Sequence, residues 1–129
     1  MNISVSQVNG RIPVTIFHLQ GDLVEEEPLR SEAAQAVANG SQAILLDLKD
    51  VPYISSAGLR AIQFVFELLQ ESSGVDKSAM NRGIAAGTFK VPNFKLLNPS
   101  KNGAKALSVS GYDMFLEIFT DQDEAIRAF

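Results

Sequence analysis

The order of hydrophobic and polar residues predicts that the chain opens with a β-hairpin. Ile3 to Val8 alternate between apolar and polar side chains, which is typical of a half-buried strand. Asn9 and Gly10 follow directly and form a strong hairpin turn signal. The return strand is predicted over Ile12 to Leu19, before Gly21. One face of this second strand would carry Val14, Ile16 and His18.

After this hairpin, the pattern alternates between helix and strand. Helices are predicted over Pro28–Ala38, Ser56–Gln70, Ser100–Ser110 and a final segment capped by Thr120 or Asp121. Strands are predicted between them over Gln42–Leu48, Phe94–Leu97 and Leu116–Phe119. The order β-β-α-β-α-β-α-β-α predicts an α/β fold with a mostly parallel, mixed sheet of about five strands and four helices.

The length of the chain suits one domain that covers residues 1–129. Residues 71–93 are the least regular part, because glycines and small polar residues interrupt any period. A stretch of this length without secondary structure is long for a connection in a compact domain. We therefore expect either a flexible insertion or an extension of the preceding helix.

The amino-acid composition argues against several classes of protein, including disulfide-bonded, nucleic-acid-binding and membrane-spanning proteins. The chain is 46% apolar and has no cysteine, so it can build a core but has neither disulfides nor thiolate metal sites. A formal charge of −4 with scattered basic residues argues against nucleic-acid binding. No apolar run approaches the ~20 residues of a membrane span, and the first residues do not resemble a signal peptide. We expect a cytoplasmic protein without a membrane span.

The sequence offers no constellation for catalysis, a cofactor or a metal ion. His18 is the single histidine and lies within a strand pattern, which favours a structural role. Glu25 to Glu27 are adjacent acids before a helix and are expected to be solvated. The glycines of residues 83–87 do not form a GxGxxG motif, and residues 99–106 are expected to be a capped surface helix. No nucleophile and base are paired in the pattern, so we do not expect an enzyme.

Ser55 and Ser56 lie between the third predicted strand and the start of the second predicted helix, and two roles suit this position. A serine oxygen can cap the helix by accepting a hydrogen bond from a free backbone amide. Alternatively, a hydroxyl at a helix N-terminus can receive a phosphate group, whose charge the helix dipole tolerates. Position alone does not separate the two roles.

The residues around these serines resemble the signature of STAS domains, in particular bacterial anti-sigma factor antagonists. The family pattern D-L-x-x-V-x-x-I-D-S-[SAT]-G-L is matched at Asp47, Leu48, Val51, Ile54, Ser56, Ala57, Gly58 and Leu59. Further similarity covers Gly21-Asp22-Leu23, Phe94 to Gly111 and Asp121 to Phe129. Residues 71–93 are the part of the chain that the resemblance does not include.

The resemblance implies a regulatory role in transcription. Such proteins bind an anti-sigma factor that is also a serine kinase, and this binding frees the sigma factor. The kinase then phosphorylates the antagonist and releases it, and a serine phosphatase resets the switch. The serine that matches the phosphorylated position is Ser56. The partner-binding residues implied by the match are Asp22, Ser55, Ser56, Ala57, Gly58, Leu59 and Arg60.

One position departs from the family pattern, because Ser55 stands where an aspartate usually precedes the motif serine. Ser55 is then either a second phosphate acceptor or the mark of a branch that binds without being phosphorylated. In the second case the domain would be a scaffold subunit of a transport or sensory complex. The long segment 71–93 also departs from the usual short connection.

Overall fold

A computed structural model describes residues 1–73 and 91–129 of the chain. The strands are β1 (Asn2–Asn9), β2 (Pro13–Gln20), β3 (Ile44–Asp50), β4 (Phe94–Leu97) and β5 (Glu117–Phe119). The helices of the described residues are α1 (Leu29–Ala38), α2 (Ser56–Ser73), α3 (Lys101–Val109) and α4 (Gln122–Ala128), with a 3-10 turn at Tyr112–Met114. The predicted order of strands and helices is confirmed.

The five strands form one sheet in the order β1-β2-β3-β4-β5. β1 runs antiparallel to β2, and the pairs β2–β3, β3–β4 and β4–β5 are parallel. Parallel strands end on the same side of a sheet, so the loops that follow β2, β3 and β4 meet at one edge. We call this side the carboxyl edge. It carries the start of α1, α2 and α3.

Helices α1, α2 and α3 cover one face of the sheet and form the larger core. The sheet contributes residues such as Phe17, Leu46 and Leu96, and α2 contributes Ile62 and Leu69, all of them buried. Burying a side chain of this size is worth roughly 1.5–3 kcal/mol. The buried positions on α2 recur at three- and four-residue steps, so one side of this helix packs against the sheet.

The second face of the sheet is covered by the short helix α4. Val14, Leu45 and Leu97 pack there against Ala125. The same face holds Lys95, which is 1% exposed; its Nζ lies 2.8 Å from Glu117 Oε1 on the neighbouring strand. The ring of Phe129 stands 5.2 Å from this ammonium group. The end of α4 therefore covers the lysine of a half-buried ion pair between β4 and β5.

His18 links β2 to β3 on the second face, close to the carboxyl edge. Its Nδ1 lies 2.9 Å from Asp47 Oδ2, and its Nε2 lies 2.9 Å from Asp50 Oδ2. Asp47 also accepts a hydrogen bond from the backbone N–H of Lys49. The predicted face that His18 shares with Val14 and Ile16 is confirmed, and Asp47 of the motif holds the end of β3.

The element ends and one burial pattern differ from the predictions. β3 begins at Ile44 rather than Gln42, and α2 continues past Gln70 to Ser73. β1 is more exposed than a half-buried strand, with Val5 at 49%, because it is the outermost strand of the sheet. Most of the predicted irregular segment 71–93 lies outside the described residues. In the two described stretches, no helix has the length and apolarity needed to cross a bilayer.

Candidate functional site

Three loops converge at the carboxyl edge and build a continuous support for the start of α2. Leu23, in the loop after β2, forms a parallel bridge with Ile54 in the loop after β3. The backbone N–H of Leu23 donates to the Tyr53 carbonyl over 2.9 Å. From the loop after β4, the Ser100 hydroxyl donates to the Pro52 carbonyl over 3.1 Å. The turn that precedes α2 is thereby fixed from both sides.

Ser55 is the cap of α2. Its hydroxyl oxygen accepts a hydrogen bond from the backbone N–H of Gly58 over 3.2 Å. The same hydroxyl lies 3.4 Å from the Leu23 carbonyl, to which it donates, and the Ser55 backbone N–H donates to that carbonyl over 3.0 Å. A capping hydroxyl is worth about 1 kcal/mol. A carboxylate here could cap in the same way, but it has no proton to donate to Leu23.

Ser56 is the first residue of α2, and its side chain is exposed. Its hydroxyl has no hydrogen-bond partner among residues 1–73 and 91–129. The backbone amides of the first helical turn create a positive potential beside it. Of the two serines, Ser56 is therefore the one whose oxygen is free to react or to touch another molecule.

Gly58 is buried at the point where α2 presses against the loop after β2. A Cβ atom at this position would lie 2.2 Å from the Leu23 carbonyl oxygen and 2.9 Å from Leu23 Cγ. No real Cβ atom tolerates such a distance to a backbone atom. The glycine of the motif thus permits the close approach that places Ser55 and Ser56 at the edge.

Arg60 follows Ser56 by one helical turn on the exposed side of α2. Its Nε lies 3.8 Å from Glu26 Oε2 in the loop before α1, and its side chain is 60% exposed. Glu26 Oε1 also lies 3.5 Å from Arg30 Nη1. The Arg30 guanidinium group stands 4.4 Å above the Phe64 ring. One carboxylate therefore sits between two arginines and links α1 to α2.

Further along α2, the Tyr112 hydroxyl donates to Gln63 Oε1 over 2.9 Å. Burial raises the pKa of the Tyr112 phenol, the negative charge of Glu67 raises it further, and Arg60 partly opposes the rise. The phenol therefore stays protonated and keeps this hydrogen bond. The pair joins the 3-10 turn to the outer face of α2.

The predicted partner-binding residues divide by exposure. Asp22, Ser56 and Arg60 are exposed, Ser55, Ala57 and Leu59 are half-buried, and Gly58 is buried. Glu25, Glu27 and Asp50 are also exposed near this edge, as are Lys49 and Lys101, so the edge carries charges of both signs. In the part of the chain that the structure describes, no three His, Asp or Glu side chains converge as a metal site requires.

Sequence reasoning missed three residues that shape this site. The Leu23 carbonyl, Glu26 and Arg30 reach α2 from the loop after β2 and from α1. They are far from Ser56 in sequence, so no local period points to them. A signal did exist for the loop after β4, because Ser100 and Gly103 repeat the spacing of Ser55 and Gly58. The Gly103 N–H likewise donates to the Ser100 hydroxyl, over 3.0 Å.

Comparisons with known proteins agree with this architecture. The family model of the STAS domain matches residues 5–75. A candidate anti-sigma factor antagonist of Bordetella bronchiseptica, BtrV, is 28% identical over 112 residues, which cover 85% of this chain and 94% of BtrV.

Two solved structures share the fold at low sequence identity. A candidate anti-sigma factor antagonist of Thermotoga maritima is 20% identical with a TM-score of 0.68, over 95% of this chain and 90% of that one. The Bacillus cell fate determinant SpoIIAA, in its phosphorylated form, is 19% identical with a TM-score of 0.65, over 97% and 96% of the two chains. These similarities show that the chain shares its fold with both structures.

Proposed function

The chain belongs to the STAS domain family, and we propose that it acts as an anti-sigma factor antagonist controlled by phosphorylation of Ser56. It binds an anti-sigma factor that is also a serine kinase, and the sigma factor is released. Phosphate on Ser56 then ends the binding, and a serine phosphatase restores it. The observation that carries this proposal is the exposed hydroxyl at the first position of α2, which makes no hydrogen bond within the described part of the chain.

The different surroundings of the two serines support Ser56 as the acceptor. The Ser55 hydroxyl is half-buried, accepts from Gly58 and donates to Leu23. Phosphorylation of Ser55 would remove the proton that its hydroxyl donates to the Leu23 carbonyl and force a charged group against that carbonyl. Phosphorylation of Ser56 breaks no hydrogen bond among the described residues. The Ser55 that replaces the usual aspartate is then a cap, and it leaves the acceptor role to its neighbour.

The edge around the start of α2 carries charges of both signs. Asp22 and Glu25 are exposed in the loop after β2, and Lys49 and Arg60 are exposed at the end of β3 and on α2. Complementary charges across an interface speed association and fix its register. A partner with charges complementary to these, whose surface fits the small neutral hydroxyl of Ser56, matches this edge.

A phosphate at Ser56 would change the surface without unfolding the domain. It adds close to two negative charges and three acceptor oxygens at pH 7. The helix N-terminus favours negative charge, so α2 remains in place. The partner, fitted to a hydroxyl, would meet bulk and charge instead, which explains the loss of binding.

We also propose that the chain itself is not an enzyme and that it works in the cytoplasm beside the transcription machinery. Among the described residues, no base lies against the Ser56 hydroxyl, which a serine nucleophile requires. His18 is held between Asp47 and Asp50 on the other face of the sheet. The domain then supplies a hydroxyl and a docking surface, and its partners supply the chemistry.

Phosphorylation mapping tests the proposal. The wild-type chain, Ser55→Ala and Ser56→Ala are incubated with the cognate kinase and ATP, and the modified residue is identified by mass spectrometry. We expect phosphate on Ser56 in the wild type and in Ser55→Ala, although the latter loses about 1 kcal/mol of stability with its cap. Ser56→Ala should stay unmodified.

Two results would contradict this assignment. The first is phosphate on Ser55. The second is no phosphate on this chain from a kinase preparation that is shown to be active because it modifies another antagonist. The second result, together with co-purification of a transport or sensory assembly, would favour a scaffold role for the same fold.

A further inference from the structure

Arg60 is placed to contact a phosphate on Ser56 within the same helix. Residues four apart lie on the same side of a helix, with Cβ atoms roughly 5–6 Å apart. Long side chains on helices lean toward the N-terminus, and Ser56 is N-terminal to Arg60 on α2. An acid N-terminal to a base at this spacing is the more favourable of the two orders. A phosphoserine at 56 would therefore have a cation one helical turn away.

The present partner of Arg60 holds it loosely. Arg60 Nε and Glu26 Oε2 are 3.8 Å apart, and the guanidinium group is largely exposed. Glu26 has a second cation, Arg30, at 3.5 Å. Arg30 in turn contacts the Phe64 ring, which keeps it next to Glu26. Glu26 would thus remain paired if Arg60 turned away.

We propose, building on the phosphorylation of Ser56 proposed above, that Arg60 exchanges Glu26 for the phosphate and is the residue of this chain that binds it. A guanidinium group can donate two parallel hydrogen bonds to phosphate oxygens. This contact is stronger than the present single contact of Arg60 with the Glu26 carboxylate at 3.8 Å. Arg60 is then a positioning residue: it fixes the phosphate against the first turn of α2.

The exchange changes the docking surface in two ways. The phosphate becomes ordered rather than mobile, and the positive charge of Arg60, one of the exposed groups at this edge, is drawn onto it. A partner that uses both the free hydroxyl of Ser56 and the free cation of Arg60 would lose both together. The switch would then remove an attractive group in addition to adding a repulsive one.

The test measures the titration of the phosphate by 31P NMR. Phosphoserine is installed at position 56 by nonsense suppression, so the result depends on neither a kinase nor a partner. A nearby cation stabilises the dianion and lowers the titration midpoint. We expect the midpoint to be about 0.3 pH unit higher in Arg60→Gln than in the wild type. Arg60→Lys should recover part of the difference.

Two matched variants separate this contact from general charge effects. Arg11→Gln removes an exposed cation from the turn between β1 and β2, at the opposite end of β2 from the carboxyl edge, and should leave the midpoint within 0.1 pH unit, about the precision of such titrations. Glu26→Gln frees Arg60 and should leave the midpoint as low as in the wild type or lower. Equal midpoints in the wild type and Arg60→Gln would overturn the assignment, as would an Arg11→Gln shift as large as that of Arg60→Gln. Because the Tyr112 phenol also lies near Arg60, the titration is read between pH 5 and 8, below the ordinary range of a phenol.

Discussion

Ser56→Asp is expected to weaken binding to the cognate anti-sigma factor by about 100-fold or more. Ser56 is exposed at the start of α2, so in the proposed complex its hydroxyl would be covered by the partner. An unpaired charge buried in an interface costs roughly 2–5 kcal/mol, and each 1.4 kcal/mol is about tenfold in affinity. Isothermal titration calorimetry of the two purified proteins measures the loss directly.

Two control variants make this result specific to the site. Ser56→Ala should bind within about threefold of the wild type, because it removes only a small hydroxyl, and it should resist release by the kinase. Ser6→Asp places the same charge at an exposed residue of β1, away from the carboxyl edge, and should bind like the wild type. Aspartate at the first helical position favours the helix by up to about 1 kcal/mol, so thermal denaturation of Ser56→Asp should show no loss of stability. Equal affinities of the aspartate and alanine variants at position 56 would reject the mechanism.

Gly58→Ala is expected to destabilise the fold by about 3 kcal/mol. The added Cβ would meet the Leu23 carbonyl oxygen at 2.2 Å, and Leu23 is held by the backbone N–H of Ser55 at 3.0 Å. The Leu23 carbonyl oxygen belongs to the backbone and cannot swing aside like the end of a side chain, so α2 must move away from the loop after β2. Overpacking of this kind costs 1–3 kcal/mol and sometimes more, which exceeds the ~1 kcal/mol that alanine gains over glycine in a helix. The melting temperature should fall by roughly 10 °C.

Gly103→Ala is the matched control for this substitution. Gly103 occupies the same position after its serine cap, but its Cβ would meet the end of the Ile54 side chain at 3.1 Å. Ile54 Cδ1 can shift by a few tenths of an ångström, so we expect a change within about 1 kcal/mol of zero, after the gain in helix propensity. Comparable losses at the two glycines, measured by urea denaturation, would contradict the role given to the Leu23 carbonyl.

The sequence predicted the fold well because its signals are local. The period of Ile62, Val65 and Leu69 on α2 and the alternation of the strands record which side of each element is buried. The hairpin turn at Asn9 and Gly10 is likewise a property of adjacent residues. Once these elements are known, a parallel sheet with crossover helices is the simplest arrangement of them.

The site was only partly predictable, because its key contacts join distant residues. The spacing of Ser55 and Ser56 allowed either serine to be the cap, and a shift of one residue in the helix start decides which hydroxyl is free. The ion pair of Glu26 with Arg60 connects the loop before α1 to α2 and depends on the packing of the two helices. The burial of Lys95 under Phe129 also depends on how α4 returns to the sheet. Such arrangements follow from tertiary packing, which a single sequence does not display.

The most direct test of the proposed switch compares two affinities of the cognate anti-sigma factor. One is for this chain with serine at position 56, and the other is for the chain with phosphoserine there. Both forms are produced by the same suppression system, checked for equal thermal stability, and titrated by calorimetry into the same partner preparation. The phosphoserine form is predicted to bind about 100-fold more weakly or not at all. Equal affinity of two equally folded forms would show that the hydroxyl at the start of α2 does not control docking.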